Sequence, residues 1–240
     1  MSEIYHNVTR HSDPKQVEEI KRVKYKVFYS ALETFERPGG RVLMGMFPSA
    51  PGQYEYPAES VNRIPQEGWN AWADEKWEPA RVVENLESVW RGWYGVTWHD
   101  ELYRTFCSNL CPLRAATEAL GVELYGSVLE SFLPIWQAAL ADLKPRLLIC
   151  HGNKEGLSPY GLFSRLYPAT QEKQQSATAI GSLKVRWHVH AAPWGPLAVA
   201  GLPNLAKGKP ALLVQNAELT AFIKRWDSPR KSEMRIVRKA

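Results

Sequence analysis

The run Arg41-Val42-Leu43-Met44-Gly45-Met46-Phe47-Pro48-Ser49-Ala50-Pro51-Gly52 narrows the folds open to this chain more than any other stretch. An apolar segment of strand length breaks into a loop of Gly, Pro and small residues, as a strand of an open α/β sheet does where its carboxyl end meets a ligand. Gly45 lets a backbone approach a ligand closely, and Pro48 and Pro51 stiffen the loop behind it.

The remaining pattern alternates helix and strand. Apolar residues at Val17, Ile20, Val23, Val27, Phe28 and Leu32 predict a helix over 14–35, which Arg37-Pro38-Gly39-Gly40 stops. Residues 80–92 and 123–143 read as further amphipathic helices, with a weaker one over 160–166 and a last one over 217–226. Strands are expected at 103–108, 146–150, 183–189 and 211–214. The stretch 53–79, dense in Tyr and Trp, reads as a long loop, and 170–178 as an exposed polar one. This order predicts one α/β domain over 1–240, a three-layer αβα sandwich on a mainly parallel sheet.

Composition sets the class of partner. Thirty basic against 25 acidic residues give a net charge of +5, mild evidence for a polyanion. The excess gathers at the end, where Lys224, Arg225, Arg230, Lys231, Arg235, Arg238 and Lys239 face only Asp227 and Glu233. Such a tail (224–240) is either a solvated terminus or an element that follows a nucleic-acid backbone. No apolar run reaches membrane-spanning length and no secretory h-region opens the chain, so the expectation is a cytoplasmic protein with no membrane partner. Cys107, Cys111 and Cys150 are too few for a disulfide framework and suggest a reducing compartment.

Three predicted strand exits carry polar signals: Gly45-Met46-Phe47-Pro48-Ser49, Asn109-Leu110-Cys111-Pro112-Leu113 and His190-Ala191-Ala192-Pro193. Together they resemble the motifs of the uracil-DNA glycosylase superfamily. Its first motif reads Gly-x-(Asn/Asp/Glu)-Pro, its second holds a base-reading Asn, and its third reads His-Pro-Ser-Pro. The resemblance spans roughly residues 40 to 210. Asn109-Leu110-Cys111-Pro112-Leu113 looks most like the single-strand-selective monofunctional branch. Gly-x-Phe-Pro-Ser also looks like the hypoxanthine-removing branch, which lacks a polar motif-one residue and relies on the motif-two Asn. Phe47 departs from the common pattern, since its ring can neither polarise water nor accept a proton.

The resemblance implies a monofunctional DNA glycosylase that flips a modified base and hydrolyses its N-glycosidic bond, leaving an abasic site, with no cofactor and no metal. The transition state is oxocarbenium-like and charge collects on the departing base, so a well-aimed donor lowers the barrier. Asn109 and His190 are expected to be catalytic, the amide reading the base and the imidazole stabilising its leaving oxygen. Gly45, Met46, Phe47, Pro48, Tyr54 and Tyr56 are expected to line the base pocket. Trp194, Leu197, Ser49 and Lys207 are expected to contact DNA, Trp194 or Leu197 by filling the gap in the duplex. Glu55, Asp100 and Glu101 are the candidates to replace the missing motif-one polar group. His151, His188 and His190 invite a zinc reading, but no Cys or carboxylate completes a ligand spacing.

The partner implied is DNA carrying a modified or deaminated base, with no obligate protein partner. The small residues Ser49 to Gly52 leave room for a bulky hypermodified pyrimidine of phage DNA, which would make excision an antiviral act. Hypoxanthine or uracil is the alternative substrate. A non-catalytic module that binds modified bases is the rival from another class. A hydrolase of small molecules lacks its Gly-x-Ser-x-Gly elbow.

Overall fold

The computed structural model describes residues 29–34, 39–47, 70–75, 78–111, 129–153, 156–170, 178–180, 183–206 and 209–227. Most of the opening helix expected over 14–35 therefore lies outside the described residues, as do the tail beyond 227 and most of the Trp/Tyr-rich stretch. The described part of the opening segment is not a continuous helix. Tyr29 lies in a bend, Ser30 makes an isolated antiparallel bridge to Asn70, and only Leu32–Thr34 makes a 3-10 turn.

The strands are β1 (Arg41–Gly45), β2 (Phe106–Asn109), β3 (Leu147–His151), β4 (Thr178–Ile180), β5 (Leu183–Ala192) and β6 (Gly195–Leu202). They form one sheet in the order β2-β1-β3-β6-β5-β4. β2, β1, β3 and β6 run parallel, whereas β5 is antiparallel to β6 and β4 antiparallel to β5. The helices are α1 (Ala80–Tyr94), α2 (Trp98–Tyr103), α3 (Leu133–Leu143), α4 (Pro159–Phe163), α5 (Pro210–Gln215) and α6 (Ala217–Asp227).

Alternation of side chains sorts the core into two layers. Leu43, Cys107, Leu147, Ile149, Ala198 and Ala200 point to one face, against α1, α2, α5 and α6. Val42, Met44, Phe106, Leu148, Cys150 and Val199 point to the other, against α3 and α4. The result is a mixed, mostly parallel α/β sheet between two helical layers. In α1 the buried positions Val82, Val83, Leu86, Val89, Trp90 and Trp93 recur at three and four, the stripe that the sequence displays.

Further segments depart from expectation: Tyr103, expected to open a strand, ends α2, β2 starts only at Phe106, and Ala71–Glu75, inside the expected long loop, forms a π-helical turn. Residues 211–214 are helical in α5, where Pro210 suits a first helical turn; a short apolar run fits either structure. Gly195 to Leu202, expected as the loop after a strand exit, is β6 itself. Pro193 and Trp194 form a two-residue hairpin between Ala192 and Gly195, whose φ of 119° suits glycine.

Ligands of open α/β sheets settle where the strand order reverses, outside the carboxyl ends of the strands. Here the chain moves outward from β1 to β2 and then returns to β3 on the other side of β1. The crevice so defined lies outside the carboxyl ends of β1 and β3, with the exit of β2 beside it.

Candidate functional site at the carboxyl edge of β1 and β2

Asn109 is the last residue of β2 and pairs in register with Gly45, the last of β1. The two motifs singled out in the sequence thus meet side by side. The Asn109 side chain lies across Gly45: a Cβ there would overlap its Oδ1 and stand 3.2 Å from its Cγ. Asn109 is only 2% exposed, yet its Nδ2 has no hydrogen-bond partner among the described residues. Burying an amide donor unpaired costs about 1–3 kcal/mol, a cost that nothing among the described residues offsets at this atom.

The neighbouring exits are already bonded. His151 Nε2 accepts from the backbone N–H of Leu205 at 2.8 Å, tying the loop after β6 to the end of β3. Asn204 Oδ1 accepts from the N–H of Ala206, and Asn153 Nδ2 donates to the Gly201 carbonyl at 3.4 Å. Among the described, buried polar side chains on these four strand exits, Asn109 is the one left with an unsatisfied donor.

His190 does not join this site. Arg186 is level with Gly201, Gly201 with Cys150, Cys150 with Met44 and Met44 with Ser108, next to Asn109. Antiparallel β5 then carries His190 four residues further, toward the amino edge, where it faces Leu197. The offset from Asn109 is about 17 Å along the strands and about 19 Å across four strand spacings. The two side chains also take opposite faces, Asn109 with Leu43 and Cys107, His190 with Leu197. The expected Asn109–His190 pair is therefore not formed. The error lies in reading His-Ala-Ala-Pro as a parallel strand exit when it is the approach to a hairpin.

The imidazole's bonding points the same way. His190 Nδ1 lies 2.9 Å from the Tyr167 carbonyl, which can only accept, so Nδ1 carries the proton. In the neutral ring Nε2 is then a bare acceptor, unable to donate to a leaving oxygen. It is buried without a partner among the described residues. Burial holds the His190 pKa below its usual value, against the raising effect of the Tyr167 carbonyl. His188, bonded through Nδ1 to the Tyr160 hydroxyl, is lowered as well, by burial and then by His190 and Arg186.

A histidine depressed in the native state binds fewer protons there than when unfolded. Its contribution is complete above the unfolded pKa of about 6.5 and is lost as pH falls toward the folded value. Urea unfolding at pH 7.5 and 5.0 should show stability falling with acid. The fall should be smaller in His190→Gln, and an equal fall in both proteins would place the acid sensitivity elsewhere.

Other expected site residues are dispersed. Leu197 is 1% exposed in the core, and Trp194 packs edge-on against Tyr167 with Nε1 donating to the Pro145 carbonyl at 3.0 Å. Pro145 precedes β3, so both residues sit at the amino edge, away from Asn109, and neither can plug a duplex opened there. Met46 and Phe47 are buried in the core layer opposite the Asn109 face, so Phe47 does not offer its ring above the amide. Glu101 pairs with Arg41, at the start of β1, and with Arg104; Asp100 precedes it on α2. Both carboxylates are thus at the amino edge and cannot replace the motif-one group. Pro48, Ser49, Tyr54, Glu55, Tyr56 and Lys207 lie outside the described residues.

Two features escaped the sequence reading. The last parallel strand ends in Gly201-Leu202-Pro203-Asn204, a further strand exit beside that of β3. Recognising β6 as a strand would have revealed it. The other is Glu78, buried just ahead of α1 and hydrogen-bonded to Tyr29. No spacing signal marked it.

The sheet and its strand-exit amide define a mixed α/β protein with a buried, unpaired amide donor at the joined carboxyl ends of β1 and β2. Comparisons with protein-family models, with curated proteins and with solved structures found no match.

Proposed function

We propose that the protein is a monofunctional DNA glycosylase for a modified or deaminated base, in which Asn109 alone, without His190, meets the flipped base. The observation that carries this reading is the buried, unpaired Asn109 Nδ2 lying across Gly45 at the joined exits of β1 and β2. A donor in that position suits a carbonyl oxygen or ring nitrogen on which negative charge grows as the glycosidic bond breaks. This is the arrangement of a site that relies on its motif-two Asn, as the hypoxanthine-removing branch does. The small residues after Phe47 keep a bulky pyrimidine substituent among the substrates to be tried.

The test is abasic-site formation on oligonucleotides, single-stranded and duplex, carrying uracil, hypoxanthine or a glycosylated 5-hydroxymethyl pyrimidine. Alkali-labile product and a free base in the mass spectrum are expected for one class, with both abolished by Asn109→Ala. The removal of His190 from the site and the burial of Phe47 favour a second reading, a module that binds such bases without cutting. Retention of one modified DNA with no labile product would select it.

A further inference from the structure

Glu78 is a buried carboxylate bonded to the core layer that Asn109 faces. It is 7% exposed, and its Oε1 accepts a hydrogen bond from the Tyr29 hydroxyl at 3.1 Å. A buried carboxylate is costly, and such groups gather at functional sites.

Three contacts fix where it lies. The last residue of α1, Tyr94, sits under the guanidinium of Arg41 at the start of β1, 4.7 Å from ring centre to Cζ, so α1 ends at the amino edge and begins at the carboxyl edge. Asn85, in the second turn of α1, donates from Nδ2 to the carbonyl of Leu205, just past the carboxyl end of β6. The backbone N–H of Tyr29 donates to the Cys107 carbonyl at 2.9 Å, which sets Tyr29 beside β2, two residues before Asn109. Tyr29, Cys107, Leu43 and the α1 stripe belong to one core layer, and Asn109 lies on that same face of the sheet. Tyr29 therefore links Glu78 to the strand that presents the unpaired amide, on the same face and toward the same edge.

We propose that Glu78 is the water-activating carboxylate of this site, supplied from the entrance to α1 because position 47 holds phenylalanine. The assignment rests on the glycosylase reading above. The C1′–N bond breaks with its electron pair leaving on the base, whose developing charge the Asn109 amide N–H meets. Water forms the new C1′–O bond and gives its proton to Glu78, which passes it to solvent, while the base anion takes a proton from solvent. The hydroxyl of Tyr29 holds the carboxylate in orientation and is a positioning group.

Glu78→Gln keeps an acceptor for Tyr29 and the side-chain volume, so the fold should survive. With whichever oligonucleotide of the panel the wild-type protein cleaves, single-turnover release should slow by about 10²-fold or more in Glu78→Gln. The wild-type rate should drop on the acid side as the carboxylate protonates, and this limb should vanish in the variant. Formate should restore part of the rate to Glu78→Ala, which a purely structural role would not allow. Release by Glu78→Gln at the wild-type rate would overturn the assignment and leave the glycosylase reading standing. So would a slowed variant with an unchanged acid limb and no rescue. Failure of the wild-type protein to release any base of the panel would overturn both.

Discussion

Arg41→Met is expected to remove about 3–5 kcal/mol of unfolding free energy, the cost of stripping the cation from a buried ionic cluster. Arg41 is 7% exposed; its Nη1 donates to Asp227 at 2.9 Å and its Nη2 to Glu101, while its guanidinium stacks on Tyr94. The cluster binds the first residue of β1 to α2 and α6 together. Burial opposes the Arg41 charge, but Tyr94, Asp227 and Glu101 more than offset it, and its pKa is raised. Burial outweighs Arg41 at Asp227, whose carboxyl stays above its usual range. Methionine would leave two partly buried carboxylates facing each other. Guanidinium unfolding measures the loss, and the triple variant Arg41→Met, Glu101→Gln, Asp227→Asn should recover much of it, because no lone charge then remains. A loss below about 1 kcal/mol for the single variant would mean that the cluster behaves as a solvated surface pair.

Gly45→Ala is the second large effect, and it tests the site without touching a polar group. The added methyl would occupy the place of the Asn109 Oδ1, so the amide must turn aside while β1 and β2 keep their backbone pairing. Removing one preorganised donor costs about 10²–10³ in rate, and displacing it should cost the same. On the proposed glycosylase reading, single-turnover base release by Gly45→Ala and by Asn109→Ala should therefore fall together, and the double variant should be hardly slower than either, since both remove one interaction. Multiplying effects in the double variant would show that Gly45 acts through something other than Asn109.

The legible parts of the fold were those with a strong period or a firm stop. α1 and α3 were marked by apolar stripes, β1 and β3 by short buried runs, and the Gly45–Asn109 meeting by two glycine- and proline-edged exits. What failed was direction. Leu183 to Val189 alternates as a strand whichever way it runs, and periodicity says nothing of whether its neighbour is parallel. The small residues of β6 and its early Pro196 disguised it as a loop, so one missed strand sent His190 to the wrong edge. Glu78 was hidden for another reason: its place depends on Tyr29 and β2, far away in sequence.

Each of the three cysteines is buried and outside any disulfide. Burial pushes Cys107 up to about 12, against the hydrogen bond from Asn70 and the charge of Arg41, and raises Cys150 well above the ordinary range. Val96, by contrast, stands 99% exposed in the turn between α1 and α2, by the amino edge. A cysteine engineered there would take a maleimide fluorophore selectively while the native thiols stay silent. The protein thus comes with a ready background for optical reporters, and the dye would ride on the flank turned away from the amide.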